Sequence, residues 1–548
     1  MSFARPLTAF PALIALAVLI GTAPMARASQ GASVEAAEIR TLLANPGATV
    51  EIDGHAVAIA PLKSFYAARD YRPAWTSHGE RILTEMRDVA LTQGLPPADY
   101  TLPLVHPPLS VGDRDLWISD ALVRLGHDLD DGRLPASGWY GEVTPQAPRT
   151  FDSDGFLRQA AAGTPLAVLA ERLVPGDPAY RDLVKALARY RAIVAAGGWP
   201  AIPAGPVIKP GKTDPRIRLL RRRLTASGDF HPRRGGHDGD TLDSALTRAV
   251  KRFQARHGLD RDGVVGPATL AALDVPARTR LAAIALNLER RRATRRHLGA
   301  TFVAVNIPDQ RLELVQDGTR TLSMRVVVGR PDHQTPIMAT AMSAVIINPN
   351  WTVPPSIANR EILPKLKKDP NYLVENDMYI VGAFPEGSPK SQGIGIDWSQ
   401  YATHIPYRLR QRPGPDNALG RIKFHLIDNE AIYMHDTPER ALFTQPVRAF
   451  SHGCVRLQKP LLMAERLLGD QWTDRLQALL AKKALRTLHL AHPVPVYFLY
   501  WTAWADPDGT VEFRNDLYDL DAHMAAALIH RTAPASGRLA VRDPRTPL

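Results

Sequence analysis

Cysteine is almost absent from this 548-residue chain, which contains a single one, Cys454. A lone thiol excludes an internal disulfide, and it excludes a zinc site built from closely spaced cysteine pairs. No apolar run beyond residue 28 is long enough to cross a bilayer, so we expect no membrane-spanning helix in the mature chain. What is present is one thiol in the segment S-H-G-C-V-R, with histidines elsewhere in the sequence. That pattern favours a catalytic thiolate.

The first 28 residues have the pattern of a secretory signal peptide. A basic residue, Arg5, precedes an apolar run over residues 8–23, and the small-residue motif A-R-A ends at Ala28. We therefore expect cleavage after Ala28 and a periplasmic location. The alternative is an uncleaved anchor, since the run is close to the shortest length that spans a bilayer. Export matters for Cys454 because thiols in oxidising compartments are usually paired, and an unpaired one indicates reactivity. The alternative for Cys454 is an inert, buried side chain.

Length and charge limit the number of domains and the classes of partner. The length favours three to four domains. Lys and Arg total 67 against 55 acidic residues, which gives a net charge of +12. Such a protein is attracted to anionic polymers, either cell-wall glycopeptide, phospholipid head groups or nucleic acid, unless the charge is only a solvated surface. Zinc-finger spacing and aromatic RNA-binding signatures are absent from the sequence, so we predict no nucleic-acid partner and at most peripheral membrane contact.

Helical periodicity dominates the first half of the chain. Residues 29–205 are predicted to form a helical scaffold domain, in which Asp177 caps the last helix. A Pro/Gly-rich stretch then leads into a small unit of three short helices over residues 206–276. Asp240 is the predicted cap of its second helix. A basic linker helix is expected over residues 277–300.

The pattern changes to period two at residue 301, which predicts strands and a mainly β domain over residues 301–484. An insertion over residues 351–420 interrupts the strands and is rich in Pro, Gly and Arg. A long insertion of this kind is often a lid over an active site, and the alternative is a passive surface loop. Residues 485–548 are expected to be a C-terminal extension. The predicted fold class is therefore multidomain α+β.

The segment K-R-F-Q-A-R-H-G-L-D-R-D-G-V-V-G-P-A-T-L, residues 251–270, resembles the peptidoglycan-binding module found on cell-wall enzymes. The resemblance implies that residues 206–276 bind peptidoglycan. The alternative is a helical spacer without a ligand, because a fold alone does not establish a function.

The segments H-D-T-P-E-R-A-L-F and S-H-G-C-V-R, between residues 435 and 456, resemble the L,D-transpeptidase catalytic domain, also called the YkuD domain. The segments N-P-N-W-T-V-P-P-S-I-A and R-Q-R-P-G-P-D-N-A-L-G, together with the helical N-terminal region, are similar to the large multidomain Gram-negative members. The resemblance implies an enzyme without cofactor or metal that forms a cysteine thioester with a peptidoglycan tetrapeptide stem. A neighbouring stem then accepts the acyl group, which gives a 3→3 cross-link.

The resemblance assigns Cys454 as the nucleophile and His435 as the general base. His452 is a supporting residue under this assignment, and the alternative for it is a purely structural histidine. Acyl transfer passes through an oxyanion, which backbone N–H groups near the nucleophile stabilise. The amides of Gly453 and Cys454 are the expected donors.

Four further residues are predicted to contact the substrate. Arg456 offers two parallel hydrogen bonds to a carboxylate, with a surface ion pair as the alternative. Ser451 is the second predicted substrate contact. The alternative is that its hydroxyl only forms a hydrogen bond inside the loop. Trp351 and Tyr407 are expected to line the cleft, with ordinary core packing as an equal alternative.

Two other functions remain compatible with these residues. The first is an L,D-carboxypeptidase or cysteine peptidase that acts on the same stems, because a water acceptor would use the same nucleophile. The second is a wall-binding scaffold without catalysis.

Overall fold

The computed structural model describes residues 34–102, 108–135, 150–232, 239–294, 298–427 and 431–532, without the side chains of residues 470 and 530–532. The predicted signal peptide, residues 1–28, lies outside the described residues, so its cleavage stays a prediction. The chain divides into two units. The first comprises residues 1–87, 100–124 and 152–166, and the second comprises residues 88–99, 125–151 and 167–548.

The first half of the chain is mainly helical, as predicted. Its helices, in chain order, are α1 (34–43), α2 (Lys63–Ala67), α3 (Gly79–Gln93), α4 (Val111–Asp130), α5 (Ser153–Ala161), α6 (Leu166–Leu173) and α7 (Pro178–Ala195). Asp177 caps α7 as expected, because its carboxylate accepts a hydrogen bond from Tyr180 N at 3.0 Å. One hairpin, β1 (Thr49–Ile52) with β2 (His55–Ala58), is not among the predicted elements.

The first unit is held by a buried carboxylate. Asp115, on α4, accepts a hydrogen bond from the Tyr66 hydroxyl at 2.5 Å and from the backbone N–H groups of Ala74 and Trp75 at 2.9 and 2.8 Å. Burial raises the pKa of Asp115, and these hydrogen bonds oppose the rise. The carboxylate therefore fixes the loop before α3 against α4.

The small helical unit contains α8 (Ile217–Ala226), α9 (Ser244–Arg256) and α10 (Pro267–Asp274) around one apolar core. The predicted cap of α9 is wrong. Asp243 is the cap, since its carboxylate accepts from Leu246 N at 2.8 Å, three residues into the helix. Asp240 lies too far upstream for this contact and instead pairs with Arg218 at 2.7 Å.

The expected linker helix, residues 277–300, is not an exposed connector. Helix α11 (Ala277–Ala293) packs against α7 and is largely buried. Its charged side chains are tolerated there because they have partners. Arg292 pairs with Glu289 at 3.0 Å and donates to the Gln93 carbonyl at 2.8 Å and the Tyr180 hydroxyl at 3.0 Å.

A nine-stranded sheet forms the second half of the chain. Its strands are β3 (Phe302–Asn306), β4 (Arg311–Gln316), β5 (Thr319–Gly329), β6 (Met338–Ile347), β10 (Ile422–Leu426), β11 (Met434–His435), β12 (Ala449–Ser451), β13 (Val455–Leu457) and β14 (Arg486–Leu499), where β7 to β9 belong to the insertion described below. The strand order is β12-β5-β13-β11-β10-β6-β14-β3-β4, and β4 also pairs with β5. That last pairing closes eight strands into a ring with β12 outside it, which leaves few unpaired edges.

The sheet of this domain extends beyond the predicted boundary at residue 484. Strand β14 starts at Arg486 and lies between β6 and β3 in the sheet. Tyr500 and Tyr518, further along the chain, are buried in the same core. The expected C-terminal extension therefore completes the sheet, and only then do a hairpin, β15 (Ala503–Ala505) with β16 (Val511–Phe513), and a final helix follow (Leu520–Thr532).

The insertion, residues 351–420, has a core of its own. Its sheet has the order β7-β9-β8, made from β7 (Trp351–Thr352), β8 (Met378–Val381) and β9 (Arg408–Gln411). Three consecutive helical pieces follow β7 in the insertion: Pro355–Ile357, a π-helical turn Ala358–Ile362, and Leu363–Lys368. A π turn is often found at functional sites.

Two further helices of the second half, Pro460–Leu468 and Thr473–Ala481, cover the core of the large sheet.

Candidate active site

Strand β11 positions the site because both its neighbours are fixed by core packing. Met434 is opposite Phe424 on one side and Val455 on the other, and all three side chains are buried in the sheet core. Successive side chains of a strand point to opposite faces. His435 and the residues paired with it, Lys423 and Arg456, therefore lie on the outer face.

Cys454 lies on this same face, next to Tyr433. The backbone N–H of Val455 donates to the Tyr433 carbonyl at 3.0 Å, which places the preceding residue beside the tyrosine. The thiol is half-buried, and its Sγ donates to the Ala431 carbonyl at 3.6 Å. Burial raises the pKa of Cys454 above its ordinary value of 9.0, although hydrogen bonds with Tyr433 and the charge of Lys423 oppose the rise. The resting side chain is therefore a neutral thiol.

His435 is held in one tautomer by a backbone carbonyl. Its Nδ1 donates to the Asp436 carbonyl oxygen at 2.5 Å, since a carbonyl can only accept. Burial, followed by the charge of Arg456, lowers the pKa of His435 to about 3. A neutral imidazole with its proton on Nδ1 keeps the lone pair of Nε2, which is the requirement for a general base.

Cys454 and His435 are two residues apart in the register of the paired chains, because the residue opposite His435 is Arg456. In the structure the thiol donates to the Ala431 carbonyl rather than to His435. A rotation of the thiol is therefore needed before proton transfer, and such bonds often tighten only when substrate binds. The carboxylate of Asp436 does not orient the base, because it accepts from Arg421 N and Arg440 Nη1, both at 2.9 Å.

Tyr433 is a functional residue that sequence reasoning missed. Its hydroxyl accepts from the Trp351 side chain and donates to Cys454 Sγ, and the Lys423 Nζ lies 3.9 Å from its ring centroid. Burial and the neighbouring cysteine raise its pKa, so the hydroxyl keeps its proton and is available to donate to sulfur. The alternation Y-M-H, in which the core residue Met434 lies between two outward residues, is the sequence pattern from which Tyr433 could have been predicted to lie at the site.

The loop before the cysteine requires glycine at position 453. Gly453 has φ of 106°, and a Cβ there would come within 2.9 Å of Ile432 Cδ1. Thr335 anchors the loop, since its hydroxyl donates to the Gly453 carbonyl at 2.7 Å. No local pattern indicates a role for this threonine, which lies more than a hundred residues upstream of the loop.

Two predicted roles in this loop need correction. The Gly453 N–H donates to the Ser451 hydroxyl at 3.2 Å and is not free to bind an oxyanion. The Ser451 hydroxyl in turn donates to the Cys454 carbonyl at 2.5 Å, and the residue is 2% exposed. Ser451 therefore shapes the loop rather than contacting substrate. The Cys454 N–H has no acceptor among the described residues and remains the available oxyanion donor.

Arg456 is oriented by an ion pair with Glu439, which is itself 60% exposed. The Nε of Arg456 is buried and has no acceptor in the part of the chain that the structure describes. A carboxylate on the Nε edge of this guanidinium would accept two parallel hydrogen bonds, one of them from the unsatisfied Nε.

The family of this domain follows from its sequence. Residues 300–487 match the family model described as the L,D-transpeptidase catalytic domain, YkuD. This part of the chain is therefore similar to L,D-transpeptidase catalytic domains. Two further models match the chain: a scaffold domain over residues 60–187, and a "Putative peptidoglycan binding domain" over residues 213–273.

A curated relative supports the same assignment. A protein of Haemophilus influenzae described as "Putative L,D-transpeptidase" is 37% identical over 249 residues, which are 45% of this chain and 50% of that protein. The match thus spans half the length of the relative.

Solved L,D-transpeptidase structures are similar at lower identity. Those from Xylanimonas cellulosilytica and Stackebrandtia nassauensis are 17% and 15% identical, and cover 54% and 55% of this chain and 98% and 96% of their own. Their TM-scores of 0.18 and 0.20 are too low to support a statement about this chain.

The insertion contacts the transpeptidase site at two points. Trp351, at its start, reaches Tyr433 as described above. Glu361, in the π-helical turn, has its Oε1 2.6 Å from His452 Nε2. The predicted supporting histidine thus joins the cysteine loop to the insertion, and Glu361 is a second residue that sequence reasoning missed.

Tyr407 does not line the transpeptidase site. Its hydroxyl lies 3.2 Å from that of Tyr401, and its ring packs against Phe384 and Trp398 inside the insertion. Tyr407 thus takes part in core packing, which was the alternative stated for it. Trp351 lies at the site, so the two aromatic residues have different roles.

The described residues contain no group of three His, Cys, Asp or Glu side chains that could hold a metal ion. Within the same residues, no helix is both long and apolar enough to cross a membrane.

The raised pKa of Cys454 predicts a specific pH profile for alkylation. Because only the thiolate reacts, the rate of iodoacetamide labelling should rise with pH and inflect above 9 in the free protein. Intact mass measured against time gives this rate. Cys454→Ser is the control and should take up no label, since the chain has no second cysteine. A rate that reaches its plateau below pH 8 would contradict the buried neutral thiol.

Proposed function

We propose that the protein is an L,D-transpeptidase that forms 3→3 cross-links in peptidoglycan through a thioester on Cys454. The observation that carries the proposal is that the sole thiol and an imidazole whose Nδ1 donates to the Asp436 carbonyl lie on the same face of two paired strands. The transpeptidase family of residues 300–487 supports the acyl-transfer chemistry.

The first half-reaction uses groups already on the outer face. His435 Nε2 takes the thiol proton, and the sulfur attacks the carbonyl of the third residue of a tetrapeptide stem. The N–H of Cys454 donates to the developing oxyanion. The C–N bond to the terminal D-alanine breaks, and its amine leaves with the proton held by His435.

The second half-reaction restores the thiol. The side-chain amine of a neighbouring stem attacks the thioester and passes its proton to His435, which returns it to the departing sulfur. Water in place of the amine would make the same enzyme a carboxypeptidase. The insertion, joined to the site by Trp351 and Glu361, is suited to exclude water, because an enclosed site suppresses competing hydrolysis.

Arg456 is the proposed anchor for a carboxylate of the stem. Arg456 follows Cys454 by two residues, and both lie on the same face of the sheet. Glu439 holds the guanidinium in place until substrate binds. Residues 206–276 are proposed to hold the wall polymer, and the predicted export signal supports a periplasmic location beside that polymer.

The proposal is tested with a purified tetrapeptide stem ending in D-alanine, with and without an acceptor stem. Intact mass should show an adduct on the wild-type protein equal to the stem minus D-alanine, and acceptor should convert it to a 3→3 dimer. Cys454→Ala should show neither. Release of free tripeptide alone, even with acceptor, would indicate a carboxypeptidase. If the wild-type protein stays unmodified, the wall-binding scaffold without catalysis is the only one of the three functions that remains.

Substitution of His435 tests the base directly. His435→Ala should lower kcat/KM for acylation by about 10²–10⁴, because that is the usual contribution of a general base. His425→Ala is the matched control, since His425 is an exposed histidine on the neighbouring strand β10. Stopped-flow or quenched mass measurement of the adduct gives both rates. Equal losses in the two variants, or no loss in His435→Ala, would remove His435 from the mechanism.

A further inference from the structure

A cluster of charged side chains joins the insertion to the loop that follows β5. This loop, residues 330–335, runs beside the cysteine loop, since the Arg330 N–H donates to the Ser451 carbonyl at 3.0 Å. At its other end, the Thr335 hydroxyl donates to the Gly453 carbonyl at 2.7 Å. The two loops are therefore fixed to each other. His452, in the cysteine loop, has 24% of its side chain exposed and is accessible to partners from outside.

Two groups of opposite charge compete for one nitrogen of His452. Its Nε2 lies 2.6 Å from Glu361 Oε1, in the insertion, and 3.4 Å from Arg330 Nη2. A carboxylate only accepts hydrogen bonds, and a guanidinium only donates them. A bare Nε2 can accept from Arg330, but it would place its lone pair against that of the carboxylate oxygen. The proton on Nε2 thus decides which partner His452 binds.

The charges of this cluster are balanced when one histidine is protonated. Arg330 is held by Asp332, whose carboxylate accepts from Nε at 3.1 Å. His333 Nδ1 lies 3.1 Å from the same carboxylate and 3.2 Å from Arg330 Nη2, and its ring centroid is 5.0 Å from that of His452. With both histidines neutral, these residues and Glu361 carry one positive and two negative charges. Uptake of one proton makes the cluster neutral.

The contact at Glu361 acts on the insertion as a whole. Glu361 is followed by Ile362 and Leu363, which are buried in the insertion's own core. The Glu361 side chain is 43% exposed and reaches out of that core to His452. Because an ion pair with this exposure is weak, it can form and break readily. It can therefore hold the insertion closed without preventing it from opening.

We propose that Glu361 and His452 form a proton-dependent latch that holds the insertion over Cys454. With a proton on Nε2, His452 pairs with Glu361 and the insertion is closed. When the ring is neutral, donation from Arg330 favours the tautomer with its proton on Nδ1, so Glu361 is released and the insertion opens. Low pH therefore closes the site and high pH opens it, over the range of about pH 5 to 8 in which histidine changes charge.

The latch deepens the proposed function and rests on it for its role, which is to keep water from the thioester. The movement itself needs no substrate, so it can be measured on the free protein.

The test measures access to Cys454 in the full chain with two maleimides of different size. N-ethylmaleimide and a maleimide that carries a long polyethylene glycol both react with the thiolate only, so the ratio of their rates cancels the ionisation of the thiol. A closed insertion slows the large reagent more than the small one. In the wild-type protein the large-to-small ratio should rise about two- to fivefold between about pH 5 and 8, the range that one exposed ion pair supplies. Intact mass gives both rates, since the chain has one cysteine.

Four substitutions assign the change to this pair. Glu361→Gln should remove the pH dependence of the ratio, because an uncharged amide can accept from a protonated Nε2 and donate to a bare one. His452→Gln should remove it as well, whereas His333→Gln should retain it. Glu386→Gln is the matched control and should give the wild-type curve, since Glu386 is an exposed carboxylate of the insertion that pairs with Arg412, also in the insertion, at 3.2 Å.

A ratio that does not change with pH in the wild-type protein would overturn the proposal. A wild-type curve in Glu361→Gln would overturn it too, as would a pH dependence that is lost in His333→Gln and retained in His452→Gln. Failure of the proposed function gives a different result. A protein that shows the latch but forms no thioester with stem peptide is not a transpeptidase, whereas one that forms cross-links at a pH-independent ratio has no latch.

Discussion

The register of β11 between β10 and β13 is the constraint on which the site depends. Met434 is buried between Phe424 and Val455, so the strand cannot shift by one residue without exposing core side chains and burying His435 among them. The same alternation places Cys454 and Arg456 outward. The proposed catalytic groups are thus positioned by the burial of apolar residues that have no role in the proposed chemistry.

Burial also decides the protonation states. The pKa of Cys454 is raised and the pKa of His435 is lowered, both chiefly because each group is removed from water. The resting pair is therefore a neutral thiol and a neutral imidazole, rather than a thiolate and an imidazolium. A substrate that excludes water and aligns the thiol with Nε2 would be the trigger for proton transfer. In an oxidising compartment a protonated thiol is also less easily oxidised than a thiolate, because the thiolate is the reactive form.

Much of this arrangement was predictable from local sequence. The lone cysteine, its glycine and the upstream histidine marked the site, and the period-two pattern marked the strands. The contacts that the sequence did not reveal are long-range: Thr335 to the loop, Glu361 to His452, and β14 closing the ring of strands. Local patterns carry no information on such pairings. The Gly453 amide was assigned to the oxyanion for the same reason, because the competing hydroxyl of Ser451 depends on the loop's folded shape.

The tautomer and charge of His435 are the most direct test of this account. Imidazole ¹⁵N shifts of the free protein, with the His435 signals identified by their loss in His435→Ala, report both. The account predicts a neutral ring at pH 5, with the proton on Nδ1 and an unprotonated Nε2, since the pKa is lowered to about 3. An imidazolium that forms near pH 6.5, or a proton on Nε2 of the neutral ring, would contradict it.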